Sequence, residues 1–248
     1  TNMTLKLQDL IKKSEKLVFF TGAGISTNSG IPDFRGPKGI WKTSTPIYFQ
    51  DFVSSKAQRV ESWERKFSNE LSIDLAEPND GHKKLAEIMA KKRYSHLITQ
   101  NVDNLHQISG IHEDNITELH GNATYAKCLE CFKKYDLGPL KKEFLKFKEP
   151  PLCKICEGLI KTATISFGQA MPEEEMRIAQ KVSIESDLFI CLGSSLAVFP
   201  AADIPLLAKE TGSSLVIINN EPTQMDNHAD LVINKDISEV LSEISIVN

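Results

Sequence analysis

Five short apolar blocks recur along the chain and indicate its architecture. They occupy residues 17–20, 96–99, 188–192, 215–218 and 231–233, and none of them alternates strictly between apolar and polar positions. Continuous apolar runs of this length are typical of strands that are covered on both faces, as in a parallel sheet. The blocks therefore predict a mainly parallel β-sheet.

Between several of these blocks the apolar residues repeat with a helical period. One i, i+3, i+4 repeat begins at Leu85, and another begins at Ile237 near the end of the chain. Asp236 and Glu239 stand where a capping box would open that last helix. Alternating strands and helices predict an α/β fold with a Rossmann-like, doubly wound parallel sheet.

Residues 123–165 interrupt this rhythm with four paired cysteines, three prolines and a lysine-rich segment. We therefore expect a small inserted module at 123–165 and a Rossmann-like domain formed by 1–122 and 166–248. A second irregular stretch runs from residue 32 to about 55, and loops of that length are uncommon unless they are functional. The 32–60 region, a lid followed by a helical segment, is a candidate further part of the small domain.

Composition places the chain among globular proteins. Its 248 residues are 41% hydrophobic and 25% charged, which excludes a disordered chain, a collagen and a membrane protein. The first residues lack the apolar region of a secretory leader, so we expect a cytoplasmic protein. The formal net charge is −4. Residues 123–161 hold nine lysines and five acidic residues, but this lysine-rich patch alone does not favour nucleic-acid binding.

Four of the five cysteines form two Cys-x-x-Cys pairs, Cys128 with Cys131 and Cys153 with Cys156. Twenty-one residues separate the pairs, just beyond the usual zinc-site spacing of about 15–20. Four thiolates suit tetrahedral zinc, and a site closed by four protein ligands is structural. We predict a structural zinc ion and a zinc-binding role for the inserted module. The alternative is two reduced pairs without metal.

A glycine-rich turn follows the first block, with the sequence Thr21-Gly22-Ala23-Gly24-Ile25-Ser26. Such a turn lets backbone N–H groups approach a pyrophosphate at the N-terminus of a helix. The dinucleotide-binding fingerprint has a third glycine, where this chain has Thr27. The turn alone supports two interpretations equally, a cofactor-binding loop and a simple connection from a strand to a helix.

Polar residues also follow the second block, at the edge of the sheet where α/β proteins bind ligands. Gln100, Asn101 and Asp103 offer donors and acceptors for ribose hydroxyls and an amide. His120 lies between this edge and the cysteine module, and the following Gly121 allows close backbone approach. His120 is therefore a candidate functional residue. Four other histidines are interpreted as ordinary core or surface residues: His82, His96, His112 and His228.

Two further strand ends carry small or polar residues, Gly193-Ser194-Ser195 and Asn219-Asn220-Glu221. A serine nucleophile at Ser194 or Ser195 is disfavoured because no Gly-x-Ser-x-Gly elbow surrounds either residue. Contacts to a bound nucleotide fit these segments better.

Taken together and in this order, the motifs resemble those of the sirtuin family. The segments that carry the resemblance run from about residue 17 to 233: Gly22-Ala23-Gly24-Ile25-Ser26, Gly30-Ile31-Pro32-Asp33-Phe34-Arg35-Gly36, Gln100-Asn101-Val102-Asp103, His120-Gly121-Asn122, the two cysteine pairs, Gly193-Ser194-Ser195-Leu196 and Asn219-Asn220-Glu221. The resemblance implies an NAD-dependent protein-lysine deacylase. In that family a Rossmann-type NAD-binding domain and a small zinc module flank a cleft for NAD and an acyl-lysine peptide.

The resemblance also implies a reaction sequence. The acyl oxygen displaces nicotinamide from the ribose, a base deprotonates a ribose hydroxyl that attacks the resulting imidate, and water releases lysine and O-acyl-ADP-ribose. The resemblance places the base at His120, and an ordinary histidine pKa near 6.5 suits proton removal at neutral pH. The resemblance makes Asn101 the second catalytic residue, since it would hold the ribose and nicotinamide end.

By the same resemblance, the 32–55 loop is a mobile lid whose Phe34 shields the reactive ribose. The implied NAD contacts are Gly22, Ala23, Gly24, Ser26, Asp33, Phe34, Arg35, Gln100, Asn101, Asp103, Gly193, Ser194, Ser195, Asn219, Asn220, Glu221, Asp236 and Ile237. The peptide would add as a strand between residues 167–169 and 198–200. The implied peptide contacts are Phe167, Gly168, Val198 and Phe199.

Several positions depart from the family pattern, and they prevent assignment of this chain to one subclass of the family. Gln169 and Ser194 stand where many relatives have Glu and Thr, and the 63–66 segment has no Tyr at the place where the desuccinylating branch carries Tyr-x-x-Arg. Residues 36–41 resemble the nuclear chromatin-associated branch, whereas the rest is similar to compact bacterial or archaeal members. We expect a monomer. The alternative functions are a mono-ADP-ribosyltransferase, a non-catalytic NAD or zinc binding module and, with the least support, a nucleic-acid-binding zinc ribbon.

Overall fold

The larger part of the chain folds around one parallel sheet. The computed structural model describes residues 2–32, 45–68, 73 and 75–246. Its strands are β1 Lys16–Thr21, β2 Tyr94–Thr99, β3 Ile116–Glu118, β4 Gly121–Cys128, β5 Lys134–Asp136, β6 Ile160–Thr164, β7 Leu188–Leu192, β8 Ser214–Ile218 and β9 Leu231–Ile233. Six of them form an all-parallel sheet in the order β3-β2-β1-β7-β8-β9. The chain runs outward from β1 in both directions, which confirms the doubly wound Rossmann-like fold.

The five predicted blocks coincide with β1, β2, β7, β8 and β9, and β3 is the strand of the large sheet that the pattern missed. Its sequence, Ile-Thr-Glu, has one apolar residue and so makes no apolar block, and the strand forms because Ile116 pairs with Leu97 of β2. Its formation is therefore a consequence of tertiary contact.

Helices cover both faces of the large sheet. The helices in the described ranges are α1 Asn2–Lys13, α2 Phe49–Ser54, α3 Lys56–Ser68, α4 Asp80–Lys91, α5 Leu105–Ile108, α6 Leu137–Phe147, α7 Glu173–Glu185, α8 Asp203–Glu210 and α9 Ile237–Ser242, of which α3 and α6 pack in the core of the smaller sheet. Alternate residues of β1 point to opposite faces: Phe19 joins the core beneath α1, α4 and α9, and Phe20 joins the core beneath α7 and α8. Double coverage explains why the strands are apolar at successive positions.

Two helix starts are set by side chains. Asn79 accepts hydrogen bonds from the N–H groups of Gly81 and His82, and the His82 ring accepts one from Asn79 in return, which forms a capping box at α4. Asp236 accepts from the N–H of Glu239 at 3.0 Å and caps α9. This is the first half of the capping box expected there.

A smaller antiparallel sheet, in the order β5-β4-β6, carries α6 and the paired cysteines. Its core contains Cys128, Cys153 and Phe144, together with Trp63 and Phe67 of α3. The expectation of an irregular stretch up to residue 55 is wrong for Phe49–Ser54, which is helical. That helix forms because Phe52 is buried and the Arg59 guanidinium donates to the carbonyl of Phe52 at 2.9 Å. None of the helices in the described ranges is long and apolar enough to cross a membrane.

Candidate functional site

The site lies where the strand order reverses, between the ends of β1 and β7. The N–H of Gly24 donates to the Gly193 carbonyl at 2.8 Å, and that of Gly22 donates to Leu192 at 3.0 Å. A Cβ on Gly22 would lie 2.7 Å from the Gly193 oxygen, and one on Gly24 would lie 2.7 Å from Gly193 Cα. Glycine is needed here because two backbone turns are in direct contact. An open α/β sheet binds its ligand at this kind of switch point.

The glycine-rich turn does not lead into the helix N-terminus that the sequence predicted. It continues into two 3₁₀ turns, Ala23–Ile25 and Thr27–Ser29. The N–H of Ser26 bonds back to Ala23 and that of Gly30 to Thr27, so each turn closes after three residues. Gly30 then adopts a left-handed φ of 88°, and Pro32 follows, which prevents an α-helix from propagating.

Asn101 and Asp103 link the loop after β2 to this turn. Asn101 donates through Nδ2 to the Gly22 carbonyl at 3.0 Å, and its own N–H donates to Thr99 Oγ1 at 3.0 Å. Asp103 accepts from Ser26 Oγ at 2.6 Å. Both side chains are almost fully buried. The structure thus brings Ser26, Asn101 and Asp103, which the sequence predicted as site residues, into one hydrogen-bonded region.

Two histidines that the sequence left without a role support this loop. His82 Nδ1 accepts from the Asn79 N–H, so its Nε2 donates to Ser26 Oγ at 3.1 Å and leaves the Ser26 hydroxyl proton for Asp103. Burial lowers the pKa of His82, and the Asp103 carboxylate partly opposes that change. The interpretation of His82 as a core residue agrees with its burial but missed its contact with the site.

His106, the second of them, is also buried. Its Nε2 lies 2.9 Å from Thr21 Oγ1. The Thr21 hydroxyl in turn donates to Thr99 Oγ1, which also accepts the hydrogen bond from the Asn101 N–H. The pKa of His106 is lowered to about 3, mainly by burial and to a smaller extent by the neighbouring His82. The sequence signal that could have identified His106 is its position three residues after Asp103.

Gln100 connects His120 to the loop after β7. Its Nε2 donates to Ser194 Oγ at 2.9 Å, and its backbone oxygen lies 3.2 Å from His120 Nδ1. A carbonyl oxygen can only accept, so Nδ1 of neutral His120 carries the proton and the lone pair is on Nε2. The half-buried His120 therefore has a tautomer whose Nε2 can accept a proton.

The strand ends of β7, β8 and β9 supply the remaining described residues of the expected nucleotide site. Gly193 has a left-handed φ of 69°, Asn219 donates through Nδ2 to the Glu221 carbonyl at 2.9 Å, and Ser195, Asn220 and Glu221 are exposed. The Ile237 side chain packs in the core, so it leaves only its main chain for a ligand. Asp33, Phe34 and Arg35 lie outside the described residues.

The residues expected to contact a peptide lie on two loops, after β6 and within the segment after β7. The Phe167 carbonyl accepts from the Phe49 N–H at 2.9 Å, and its ring lies 5.9 Å from that of Tyr48. Gly168 has a φ of 83°, Val198 is half-buried, and Phe199 is exposed.

The four paired cysteines meet at one point. Their Sγ atoms all lie within 4.8 Å of one another, with Cys128 and Cys156 at 3.4 Å and Cys131 and Cys153 at 3.6 Å. Tetrahedral zinc with Zn–S bonds of about 2.3 Å requires sulfur separations of about 3.8 Å, so the cluster fits zinc. Backbone N–H groups also point at the sulfurs, among them that of Glu130 at Cys128, which favours thiolates. The donor set supports a closed structural site.

The fold and these sites define a Rossmann-type nucleotide-binding protein with a four-cysteine zinc module. A model of the Sir2 family matches residues 22–200. The NAD-dependent protein deacetylase of Rhodopseudomonas palustris is 49% identical over 236 residues, which are 95% of this chain and 93% of that protein. The NAD-dependent protein deacetylase 1 of Bradyrhizobium diazoefficiens is 51% identical over 236 residues, 95% and 92% of the two chains.

Among solved structures, a Sir2 variant with deacetylated p53 peptide and 3′-O-acetyl ADP ribose is 37% identical, with a TM-score of 0.84 and coverage of 96% of each chain. The chain belongs to the Sir2 family, the sirtuins. The resemblance inferred from the motifs is thereby confirmed.

Proposed function

We propose that this chain is an NAD-dependent protein-lysine deacylase in which His120 is the general base. It converts an acyl-lysine, NAD and water into lysine, nicotinamide and O-acyl-ADP-ribose. The two relatives that match 95% of its length are NAD-dependent protein deacetylases. The observation that carries the residue assignment is the bond from His120 Nδ1 to the Gln100 carbonyl, beside Asn101 and Asp103.

NAD supplies the ADP-ribose that accepts the acyl group as nicotinamide leaves. Asn101, held by Gly22 and Thr99, orients the ribose and the nicotinamide end, and Asp103, held by Ser26, fixes the same loop. Gln100 contacts the ribose hydroxyls from the loop after β2, where its side chain is held by Ser194 of the loop after β7. Because these groups are pre-ordered by bonds within the protein, binding does not have to order them.

His120 removes a proton from a ribose hydroxyl through Nε2. Its ring keeps one tautomer because the Gln100 carbonyl accepts only from a protonated Nδ1. The peptide binds between the loops that carry Phe167 and Gly168 and those that carry Val198 and Phe199, by backbone pairing that selects sequence only loosely. The zinc site orders the small sheet and takes no part in the chemistry.

The nucleotide site extends over the sheet edge. Gly22, Ala23, Gly24 and Gly193 face the diphosphate, and Ser195, Asn219, Asn220, Glu221, Asp236 and the main chain of Ile237 face the adenosine half. Asp33, Phe34 and Arg35 complete the assignment. Substituting Glu221 by Gln and measuring the Kd of NAD tests the adenosine end, where an unchanged Kd contradicts the assignment.

The direct test is mass spectrometry of the protein with NAD and peptides that carry acetyl-, longer acyl- or succinyl-lysine. We expect NAD-dependent loss of the acyl group and an equal amount of O-acyl-ADP-ribose. If the peptides are unchanged while protein gains ADP-ribose mass, the chain is a mono-ADP-ribosyltransferase.

The domain division and the setting of the protein are further proposals. Residues 1–122 and 166–248 form the NAD-binding domain, and 123–165 form the zinc module, to which α3 adds Trp63 and Phe67. A cytoplasmic setting is supported by four cysteines placed as thiolate ligands, because reducing compartments keep thiols reduced. Sedimentation equilibrium tests whether the chain is a monomer.

A further inference from the structure

Lys161 is a buried lysine at the second position of β6, with 5% of its surface exposed. Its ammonium donates to the carbonyl oxygens of Thr162 and Thr164, and burial lowers its pKa to about 8. Lys127, its register partner on β4, is exposed. Burying an ammonium costs free energy unless its hydrogen bonds are made. The burial of Lys161 therefore needs a structural explanation.

The reason lies in the pairing of β4 with β6. Ala126 pairs with Thr162 and Gly121 pairs with Thr164, so residues 122–125 stand opposite Ala163 alone. A bulge of this size interrupts the ladder of backbone hydrogen bonds. The Lys161 ammonium bonds to the carbonyls on both sides of Ala163, where the ladder is interrupted.

The same short segment sets the position of His120. The N–H of Ile165 donates to the His120 carbonyl at 2.8 Å. A Cβ on Gly121 would lie only 1.9 Å from the Ala163 oxygen, so the two backbones are in direct contact. Two residues after Ile165 comes Phe167, whose carbonyl bonds to Phe49. The end of β6 therefore joins the backbone of His120 to the loop that carries Phe167 and Gly168.

We propose that Lys161 is a positioning residue whose ammonium holds the end of β6 in the geometry that places His120 and presents residues 166–168 to the peptide. This inference rests on the proposed deacylase function. An ammonium has three donors at one point and can bond to two carbonyls that face the same space. Without the Lys161 ammonium, the carbonyls of Thr162 and Thr164 lose a hydrogen-bond donor. The bulge can then adopt another conformation.

The test uses Lys161→Met, Lys161→Arg and, as the matched control, Lys127→Met on the neighbouring strand. For each zinc-loaded protein, kcat and the KM of an acetyl-lysine peptide and of NAD are measured. For Lys161→Met we expect kcat to fall about 10- to 100-fold, since a small misplacement of a catalytic group has effects of this size. The KM of the peptide rises, and the KM of NAD stays within about twofold because the NAD contacts lie mainly on the large sheet.

Lys161→Arg keeps a charged donor and restores most of kcat, and Lys127→Met behaves as wild type. Exchange of labelled nicotinamide into NAD, measured at saturating peptide, separates positioning of His120 from general damage. Exchange precedes proton removal by the base, so in Lys161→Met it falls less than deacylation does.

A Lys161→Met protein with lowered Tm but unchanged kcat and peptide KM would overturn the inference, because Lys161 would then serve stability alone. An equal loss of exchange and deacylation, together with a raised KM of NAD, also contradicts it. If Lys161→Met does not fold, Lys161→Gln is judged by the same criteria, because its side chain is one atom shorter than that of lysine and does not place a donor where the ammonium lies. Absence of deacylation in the wild-type protein would instead refute the proposed function itself.

Discussion

The Nδ1 atom of His120 lies 3.2 Å from the backbone oxygen of Gln100, while the side chain of the same Gln100 donates to Ser194 at 2.9 Å. One residue thus orients the proposed base and contacts the loop after β7. Since Gln100 follows β2 directly and Ser194 follows β7 closely, the two ends of this link are fixed by strands on opposite sides of β1.

Replacing His120 by Ala should abolish deacylation and leave NAD binding within a few-fold. The base acts after NAD is bound, and general-base catalysis contributes about 10²- to 10⁴-fold to the rate. Turnover is measured by mass spectrometry of the peptide and NAD binding by calorimetry. The exposed His112 gives the control, His112→Ala, which should match wild type. Unchanged turnover in His120→Ala would contradict the assignment of the base.

Replacing Gly24 by Ala should destabilise the protein and weaken NAD binding, because the new Cβ would lie 2.7 Å from Gly193 Cα, a backbone atom that cannot turn aside. Gly138 is the matched control, since a Cβ there meets nothing within 4 Å. Gly138→Ala in α6 should stabilise the protein by about 0.5–1 kcal/mol. Urea unfolding and NAD titration of both variants check this, and equal stability of the two would refute the close backbone contact.

Removing the zinc should unfold the small sheet and change the emission of Trp63. Trp63 packs in one cluster with Cys128, Cys153 and Phe144, and structural zinc contributes directly to folding free energy. The chain has two tryptophans, so a Trp41→Phe background isolates the signal from Trp63.

In that background, a chelator or Cys128→Ser should shift the emission to longer wavelength and release one zinc ion per chain. The control is Cys191→Ala: Cys191 lies in the large sheet, and its loss should leave the zinc content unchanged. A folded, metal-free and active Cys128→Ser protein would exclude a structural role for zinc.

Stability should fall as the pH decreases from about 6.5 towards 3, in part because of His106. Its pKa is about 3 in the folded protein and about 6.5 when the chain is unfolded. Between these values the unfolded state binds more protons, so stability rises with pH and the full contribution is present above about 6.5. His96 acts in the same direction, because burial lowers its pKa to about 4.

His106→Gln removes the titrating group. The free energy of unfolding, measured in urea at pH 7, 5.5 and 4.5, should therefore depend less on pH in this variant than in wild type. His228→Gln serves as the control because His228 is exposed. The same pH dependence in His106→Gln and wild type would show that His106 does not titrate as stated.

Some features of this protein can be predicted from the sequence because they depend on residues that are close together along the chain. The blocks that became β1, β2, β7, β8 and β9 are apolar at successive positions, and a sheet covered on both faces demands this. The two cysteine pairs indicate zinc because four thiolates are its preferred structural ligands, whatever fold surrounds them. The order of the motifs was sufficient to indicate the family.

Only the tertiary structure decided the contacts between residues that are far apart in the chain. The glycines of the turn after β1 are required by Gly193, some 170 residues away, and not by a helix that begins there. His82 and Lys161 carry no local signal, since a buried histidine or lysine cannot be told from an exposed one by its neighbours. Their roles follow from the acceptors that folding brings to them, Ser26 for His82 and the carbonyls of Thr162 and Thr164 for Lys161. Periodicity reports which face of an element is buried, but only the packed fold determines what that face meets.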